Sequence, residues 1–211
     1  MAISVEGKDT PQGLSKPQAA LKRSFDFFGA AVGLVLTSWI ILPAWLLATL
    51  DTRANGFFTQ ERVARNGRIF RVVKLRTMRP DTRLDTTVTT GHDPRITRLG
   101  RFFRRAKIDE LPQLFNVLVG HMSFVGPRPD VPGYADALEG EDRVILSVRP
   151  GITGPATLAY RNEEELLEQV ADPERYNREV IFPDKVRLNR EYVEHWSFRK
   201  DLGYIWRTVV G

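Results

Sequence analysis

Asp109 and Glu110 are adjacent carboxylates in a basic stretch, with Arg104, Arg105 and Lys107 before them and Arg128 after. Neighbouring positions on a helix do not face each other. Two adjacent carboxylates beside a metal can therefore do separate jobs, one as a nucleophile and the other as a ligand. An Asp-Glu pair also suits the first turn of a helix, where it meets the positive end of the dipole, and spacing alone leaves both readings open. Leu111 and Pro112 follow, then an apolar run from Leu114 to Val119, then Gly120 and the turn Gly126-Pro127-Arg128-Pro129. Pro112 fits an early helical position, where its missing donor costs nothing, and Leu111, Leu114, Phe115 and Leu118 are the expected packing positions.

Further motifs flank this stretch: LRTM at 75–78, DPRITRLGRFFRR at 93–105, KIDELPQLFNVLVGHMSFVGPRP at 107–129 and RPGITG at 149–154. In this order they resemble the bacterial sugar transferase family, the monotopic phosphoglycosyl transferases that start glycan assembly on polyprenyl phosphate. The resemblance runs from about Lys22 to the C-terminus. It implies an α/β, mainly helical, compact cytosolic catalytic domain with an N-terminal re-entrant membrane helix and interfacial amphipathic helices, on the cytoplasmic face of the bacterial inner membrane. It also implies that Asp109 attacks the sugar-proximal phosphorus of a UDP-sugar and expels UMP, and that Glu110 ligates Mg²⁺. Arg104 and Arg128 would hold phosphate oxygens, with Lys74 and Arg149 as further candidates. Polyprenyl (undecaprenyl) phosphate then receives the phosphosugar, expected to be an N-acetylated or modified amino sugar. Membrane lipids are the other expected partners, nucleic acid is not, and a homodimer is compatible with this reading.

The elements that must position these groups follow from composition and pattern. The chain has 211 residues, a net charge of +5 and 42% hydrophobic residues, which suits one domain with an attached element. The charge suits nucleic acid, anionic lipid or phosphorylated substrates alike. Absence of cysteine excludes disulfides and thiolate metal sites. His92, His121 and His195 are too isolated for a zinc site. The expected layout is a tail at 1–21, a re-entrant helix at 22–51 and a membrane-associated domain at 52–211. A non-enzymatic adaptor binding anionic lipid would explain the charge and the apolar segment but not the ordered motifs.

Residues 25–50 form an apolar stretch whose only charge is Asp26, and their length suffices for a hydrocarbon core of about 30 Å. Pro43 inside it should kink a helix, with Thr37 and Ser38 able to bond freed carbonyls, and both a kinked spanning helix and a re-entrant hairpin fit this pattern. The resembling family has a re-entrant helix with Ser-Pro at the bend, and this chain has Leu42-Pro43. Lys22 and Arg23 precede the stretch, and Arg53, Arg62, Arg65, Arg68, Arg71 and Lys74 follow it, so a basic excess on both flanks argues against crossing. Asp26 is expected at the interface.

Beyond the membrane segment, Asn55-Gly56 and Asn66-Gly67 signal turns and Ile69 to Leu75 a short strand. Residues 80–92 read as a surface loop. Asp93-Pro94 should start an element leading into a helix that directs Ile96, Leu99, Phe102 and Phe103 inward and its arginines toward headgroups. Asp130 is placed to cap a helix over Tyr134 to Leu146, and residues 149–154 read as a rigid turn whose amides suit phosphate. A solvated glutamate run spans Asn162 to Val170, and a helix spans Asp184 to Glu194. Tyr192, Trp196, Phe198, Tyr204 and Trp206 form a late aromatic cluster for core or headgroup packing.

Overall fold

The computed structural model describes residues 13–80 and 93–211. The expected tail up to residue 12 and most of the 80–92 loop, including His92, lie outside them. Helix α1, Lys16–Thr52, begins six residues before the expected boundary at 22. The Ser15 amide donates to Gln18 Oε1 at 2.9 Å, meeting an otherwise open donor at the helix start. The helix runs unbroken through Pro43 and ends where Arg53 turns left-handed, φ 54°. The expected compensation at the proline differs in detail: Thr37 Oγ1 donates to Gly33 O and Ser38 Oγ to Val35 O. Neither meets the carbonyl of Trp39, four residues before Pro43.

The buried positions of α1 are Lys22, Asp26 and Ala30, then Ile41, Ala44, Ala48 and Thr52, at helical spacing along one face. Small residues let the domain come close: a Cβ on Gly29 would lie 2.8 Å from the Phe124 ring and one on Gly33 3.2 Å from Leu114. Asp26, expected at the interface, is instead buried. Its Oδ1 accepts from Ser123 Oγ and from the Phe124 amide, both at 3.0 Å, because a carboxylate there satisfies the start of a strand. Lys22 is also buried, ion-paired to Asp201 at 2.5 Å.

After α1, strands β1 (Phe57–Val63) and β2 (Ile69–Leu75) form an antiparallel hairpin, Phe57 opposite Leu75 and Val63 opposite Ile69. β2 has the bounds its pattern suggests; β1 is hidden in the sequence because Gln60, Glu61 and Arg62 interrupt its apolar alternation. Helix α2 (Arg98–Arg105) starts at a Thr97 cap, whose Oγ1 accepts from the Gly100 amide at 2.8 Å. Asp93 does not start it, since that carboxylate is engaged by the Arg95 guanidinium. Phe103 of α2 is buried, but Phe102 is 57% exposed rather than turned inward.

Helix α3 (Gln113–Val119) ends at Gly120, φ 88°. Its buried Asn116 accepts from the Val73 amide at 2.9 Å and donates to Arg71 O at 2.8 Å, stapling α3 to β2. Strand β3 (Ser123–Val125) pairs in parallel with β4 (Gly151–Thr153), so the segment expected to be only a turn also forms a strand. The helix expected over Tyr134 to Leu146 is replaced by 3₁₀ segments at Ala135–Ala137 and Gly140–Ser147. Extended Leu138 and Glu139, followed by Gly140 at φ 60°, break the helical path, and neither 3₁₀ segment is capped by the Asp130 side chain.

Short helices α4 (Pro155–Ala159), α5 (Glu163–Glu168) and α6 (Pro173–Tyr176) lead through a π-type turn into α7 (Phe182–Glu194), followed by α8 (Phe198–Val210). One apolar cluster joins Val125, Ile145, Val148, Val186, Tyr192 and Val193. A second joins Ala30 of α1 to Phe70, Val72, Val117 and Met122, and a third joins Ala44 and Ala48 of α1 to Leu75 and Phe103. Among the described residues the chain is mainly helical, with one long apolar helix and two small sheets.

At the base of α1, Asp201 also accepts from Tyr192 Oη at 2.7 Å and Trp196 Nε1 at 3.1 Å. Removing one partner of a buried ion pair strands the other. Asp201→Ala is therefore expected to lower stability by about 3–5 kcal/mol in detergent-micelle urea titrations, with new proteolytic sensitivity near Lys22.

Candidate active site

The dyad lies on a single 3₁₀ turn, Ile108–Glu110, between α2 and α3. Lys107 just before it is left-handed, φ 57°, which reverses the chain sharply after α2. Backbone strain of this kind in a non-glycine residue is tolerated where surrounding structure enforces it. The turn buries Asp109 and leaves the Glu110 side chain 13% exposed.

Three elements bring cations to this turn. From β2, Lys74 Nζ lies 3.4 Å from Glu110 Oε1. From the loop after β3, an Arg128 guanidinium nitrogen donates to the same oxygen at 2.8 Å. That loop packs tightly on its neighbour: a Cβ on Gly126 would fall 2.4 Å from Arg149 O, so only glycine fits and the approach of Arg128 is fixed. From α2, Arg104 Nε donates to Thr77 Oγ1 at 3.1 Å, and its charge favours the ionised form of Asp109.

Two adjacent carboxylates therefore experience opposite environments. Burial pushes Asp109 above the ordinary carboxylate range, and the Glu110 charge adds to that, against the pull of Lys74 and Arg104. Burial also acts on Glu110, but Arg128 and Lys74 outweigh it and hold that carboxyl well below the ordinary range. Divergent environments of this kind commonly separate chemical roles. Asp109 Oδ1 is buried with no hydrogen-bond donor among the described residues. An acceptor without a donor suits either attack on an electrophile or coordination of a cation.

Hard divalent cations such as Mg²⁺ are commonly held by one or two carboxylates plus substrate phosphates. The Asp109–Glu110 pair fits that donor set. Among the described residues no group of three or more His, Cys, Asp or Glu offers an all-protein cage.

The four expected phosphate-binding side chains do not converge on one point. Lys74 and Arg128 contact Glu110, and the Arg104 charge acts on Asp109. Arg149 does neither: its Nε donates to Gly120 O at 2.8 Å, at the far end of α3, and its charged neighbours are Arg65, Arg23 and Asp26. The seven residues of α3 span about 10 Å. Arg149 lies apart because its backbone supports the Gly126 loop while its side chain turns toward the helix end.

The sequence reading missed a charged layer behind Arg128. Arg62 of β1 donates to Pro129 O at 3.2 Å. Burial, then the Arg128 charge, lower its pKa to about 10. Asp130 is pushed up to about 6 by burial, against the pull of Lys185 and Arg62. Lys185 in turn pairs with Glu163 at 2.6 Å. The available signal was Asp130 sharing a rigid Pro-rich turn with Arg128.

A model of the family "Bacterial sugar transferase" matches residues 17–211. A Bacillus subtilis protein named "Putative undecaprenyl-phosphate N-acetylgalactosaminyl 1-phosphate transferase" is 43% identical over 123 residues, 58% of this chain and 69% of that protein. "Galactosyl transferase CpsE" of Streptococcus agalactiae is 36% identical over 203 residues, 89% of this chain and 41% of that one. "UDP-glucose:undecaprenyl-phosphate glucose-1-phosphate transferase" of Escherichia coli is 34% identical over 207 residues, 95% of this chain and 41% of that one. The chain thus spans about two fifths of the length of the streptococcal and E. coli relatives.

The raised Asp109 carboxyl has a consequence for stability. A group whose folded pKa lies above its unfolded value opposes folding once it ionises, so its cost is absent below the unfolded value of 3.8 and develops as pH rises through the folded one. Asp109→Asn is therefore expected to be more stable than the parent at pH 7, with the gain vanishing below about pH 4. Urea midpoints across that pH range check this.

Proposed function

The chain belongs to the bacterial sugar transferase family, and from that premise we propose that it transfers a phosphosugar from a UDP-sugar to polyprenyl phosphate and releases UMP. The observation that carries this reading is the buried Oδ1 of Asp109, which has no donor among the described residues, beside a carboxylate clamped by Lys74 and Arg128.

In the first step the ionised Asp109 carboxylate attacks the sugar-proximal phosphorus. A new oxygen–phosphorus bond forms, the bridging bond to the UMP phosphate breaks, and its electron pair leaves with UMP. Lys74, Arg104 and Arg128 neutralise the approaching negative charges, which fixed cations do without reorganising solvent. Arg128 contributes a planar fork suited to phosphate oxygens. In the second step a phosphate oxygen of the lipid attacks the same phosphorus and Asp109 leaves, giving polyprenyl diphosphate sugar. Glu110, with Asp109 at its side, is the residue to hold Mg²⁺, which when bound would neutralise diphosphate charge. The donor sugar is proposed to be N-acetylated or otherwise modified. The Bacillus relative supports that choice, while others are named for galactose and glucose.

For the membrane, we propose that α1 enters and leaves on the cytoplasmic face. Val32, Val35, Leu36, Trp39 and Leu42 in its middle are 58–74% exposed. The segments on either side bury Lys22 to Ala30 and Ile41 to Thr52 against the same domain. A crossing helix would carry those segments to opposite sides of the bilayer, so shared contacts support re-entry. This places the dyad near the interface, where a lipid phosphate and a soluble nucleotide can meet. Cysteines introduced at Ser15 and Glu61 should both react with an impermeant thiol reagent only in inside-out vesicles; labelling of Ser15 from the periplasm would sink this topology.

The covalent step is tested without lipid. Enzyme mixed with UDP-sugar and rapidly quenched is expected to release about one UMP per site and gain one phosphosugar in mass, and Asp109→Asn to do neither. An active enzyme lacking both burst and adduct would favour direct attack by the lipid phosphate, with Asp109 only orienting groups.

A further inference from the structure

At the end of α3 opposite the dyad, arginines from two separate segments meet on the helix carbonyls, and a third acts on one of them through its charge. Arg23 of α1 donates to Val117 O and Leu118 O, both at 2.7 Å. Arg149 donates through Nε to Gly120 O. Arg65, in the turn between β1 and β2, is exposed, and its charge acts on Arg149 more strongly than that of Arg23 does. Capping the carbonyl end of a helix is an ordinary use for a guanidinium, but that end offers only about half a negative charge. Among the described residues, none of these arginines has a carboxylate within ion-pair distance.

The acids nearby are already used. Asp26 is bonded to Ser123 and Phe124, and Asp201 to Lys22, Tyr192 and Trp196. Asp26 and Asp201 are thus committed to other groups, and Arg23 and Arg149 are left on helix carbonyls. Like charges repel, two of them here part-buried, so the cluster favours an added anion.

Its position indicates which anion. The Arg23 guanidinium sits 5.7 Å from the Phe27 ring centre. Phe27, Phe28 and, at the end of α3, Val119 are 44%, 67% and 46% exposed. Cationic forks beside exposed apolar rings match the boundary between headgroups and acyl chains, where arginine meets phosphate while its neighbours meet hydrocarbon.

We propose that Arg23, Arg65 and Arg149 form a binding site for the phosphodiester headgroup of an anionic phospholipid, separate from the dyad. The proposal rests on the membrane-bound reading above, but not on the transferase chemistry. The bound headgroup neutralises the cluster and fixes α1 and α3 at headgroup depth, which sets the height of the dyad at the other end of α3.

The full chain is reconstituted in nanodiscs containing equal phosphatidylglycerol and phosphatidylcholine, and native mass spectrometry reads the lipid retained after release. The parent should retain phosphatidylglycerol preferentially. Arg65→Gln, at an exposed position, should lower that preference about fivefold, and Arg65→Gln with Arg149→Gln about twentyfold or more. Arg65→Lys should keep part of it. Arg178→Gln, which removes the same charge elsewhere, should change nothing, and circular dichroism should match the parent for every variant. Equal retention of both lipids by the parent, or equal losses in Arg178→Gln and Arg65→Gln, would overturn the proposal. So would displacement of phosphatidylglycerol by equimolar undecaprenyl phosphate, which would assign the cluster to the acceptor. Turnover is not the readout, so an inactive enzyme with an intact lipid preference would count against the transferase reading alone.

Discussion

A charged pair buried at the root of an apolar helix governs how this molecule is assembled. Lys22 reaches Asp201 across the fold, and Tyr192 and Trp196 complete the carboxylate's shell. Desolvating two ions is expensive, and only close geometry with further hydrogen bonds offsets it. Both conditions hold here. One turn along the helix, Asp26 bonds the start of β3. These contacts fix the rotation of α1 about its axis, so Ala30 faces the hairpin core and Ala44 and Ala48 face Leu75 and Phe103. Turned by even a quarter, the helix would bury its bulky residues against a surface shaped for alanine and glycine.

The dyad inherits its geometry from that docking. α1 lies against α3, α3 is stapled by Asn116 to β2, and β2 carries Lys74. α2 enters on the other side and the left-handed Lys107 turns the chain into the dyad. Arg128 then arrives from the loop wedged at Gly126. The three cations therefore come from parts of the chain that meet only in the folded state. Their unequal effect on two adjacent carboxylates follows from contact: Glu110 takes both Lys74 and Arg128 directly, and Asp109 is left buried with an oxygen that nothing in the described protein bonds.

Arginine does different work in different places along this chain. Arg128 pairs with Glu110, Arg104 bonds Thr77, Arg62 supports the loop behind the dyad, and Arg23 and Arg149 bind the carbonyl end of α3. Basic composition alone could not separate these uses. What separates them is whether a carboxylate, a carbonyl or an exposed aromatic ring lies within reach, which depends on tertiary placement.

Several features were legible in the sequence for local reasons. An apolar run as long as residues 25–50 can only be a membrane-length helix or a deeply buried one. Ile69 to Leu75 carries strand-forming residues between turn signals, and the ordered motifs around Asp109 identify the family. These are properties of adjacent residues and survive without knowledge of the fold. Other features were not legible because their causes are remote. Asp26 looked like an interfacial charge, and only β3, nearly a hundred residues away, makes it a buried acceptor. β1 lacks a clean pattern because its polar residues serve Arg128's loop and an exposed edge. The segment from Tyr134 to Leu146 has helical composition, yet Gly140 in a left-handed conformation and packing against α7 divide it into 3₁₀ turns. Arg149 stands beside a motif that suits phosphate, but the close backbone contact at Gly126 sends its side chain to the opposite end of α3. Residue types set which chemistry was available to the chain; long-range packing decided which side chains share a site.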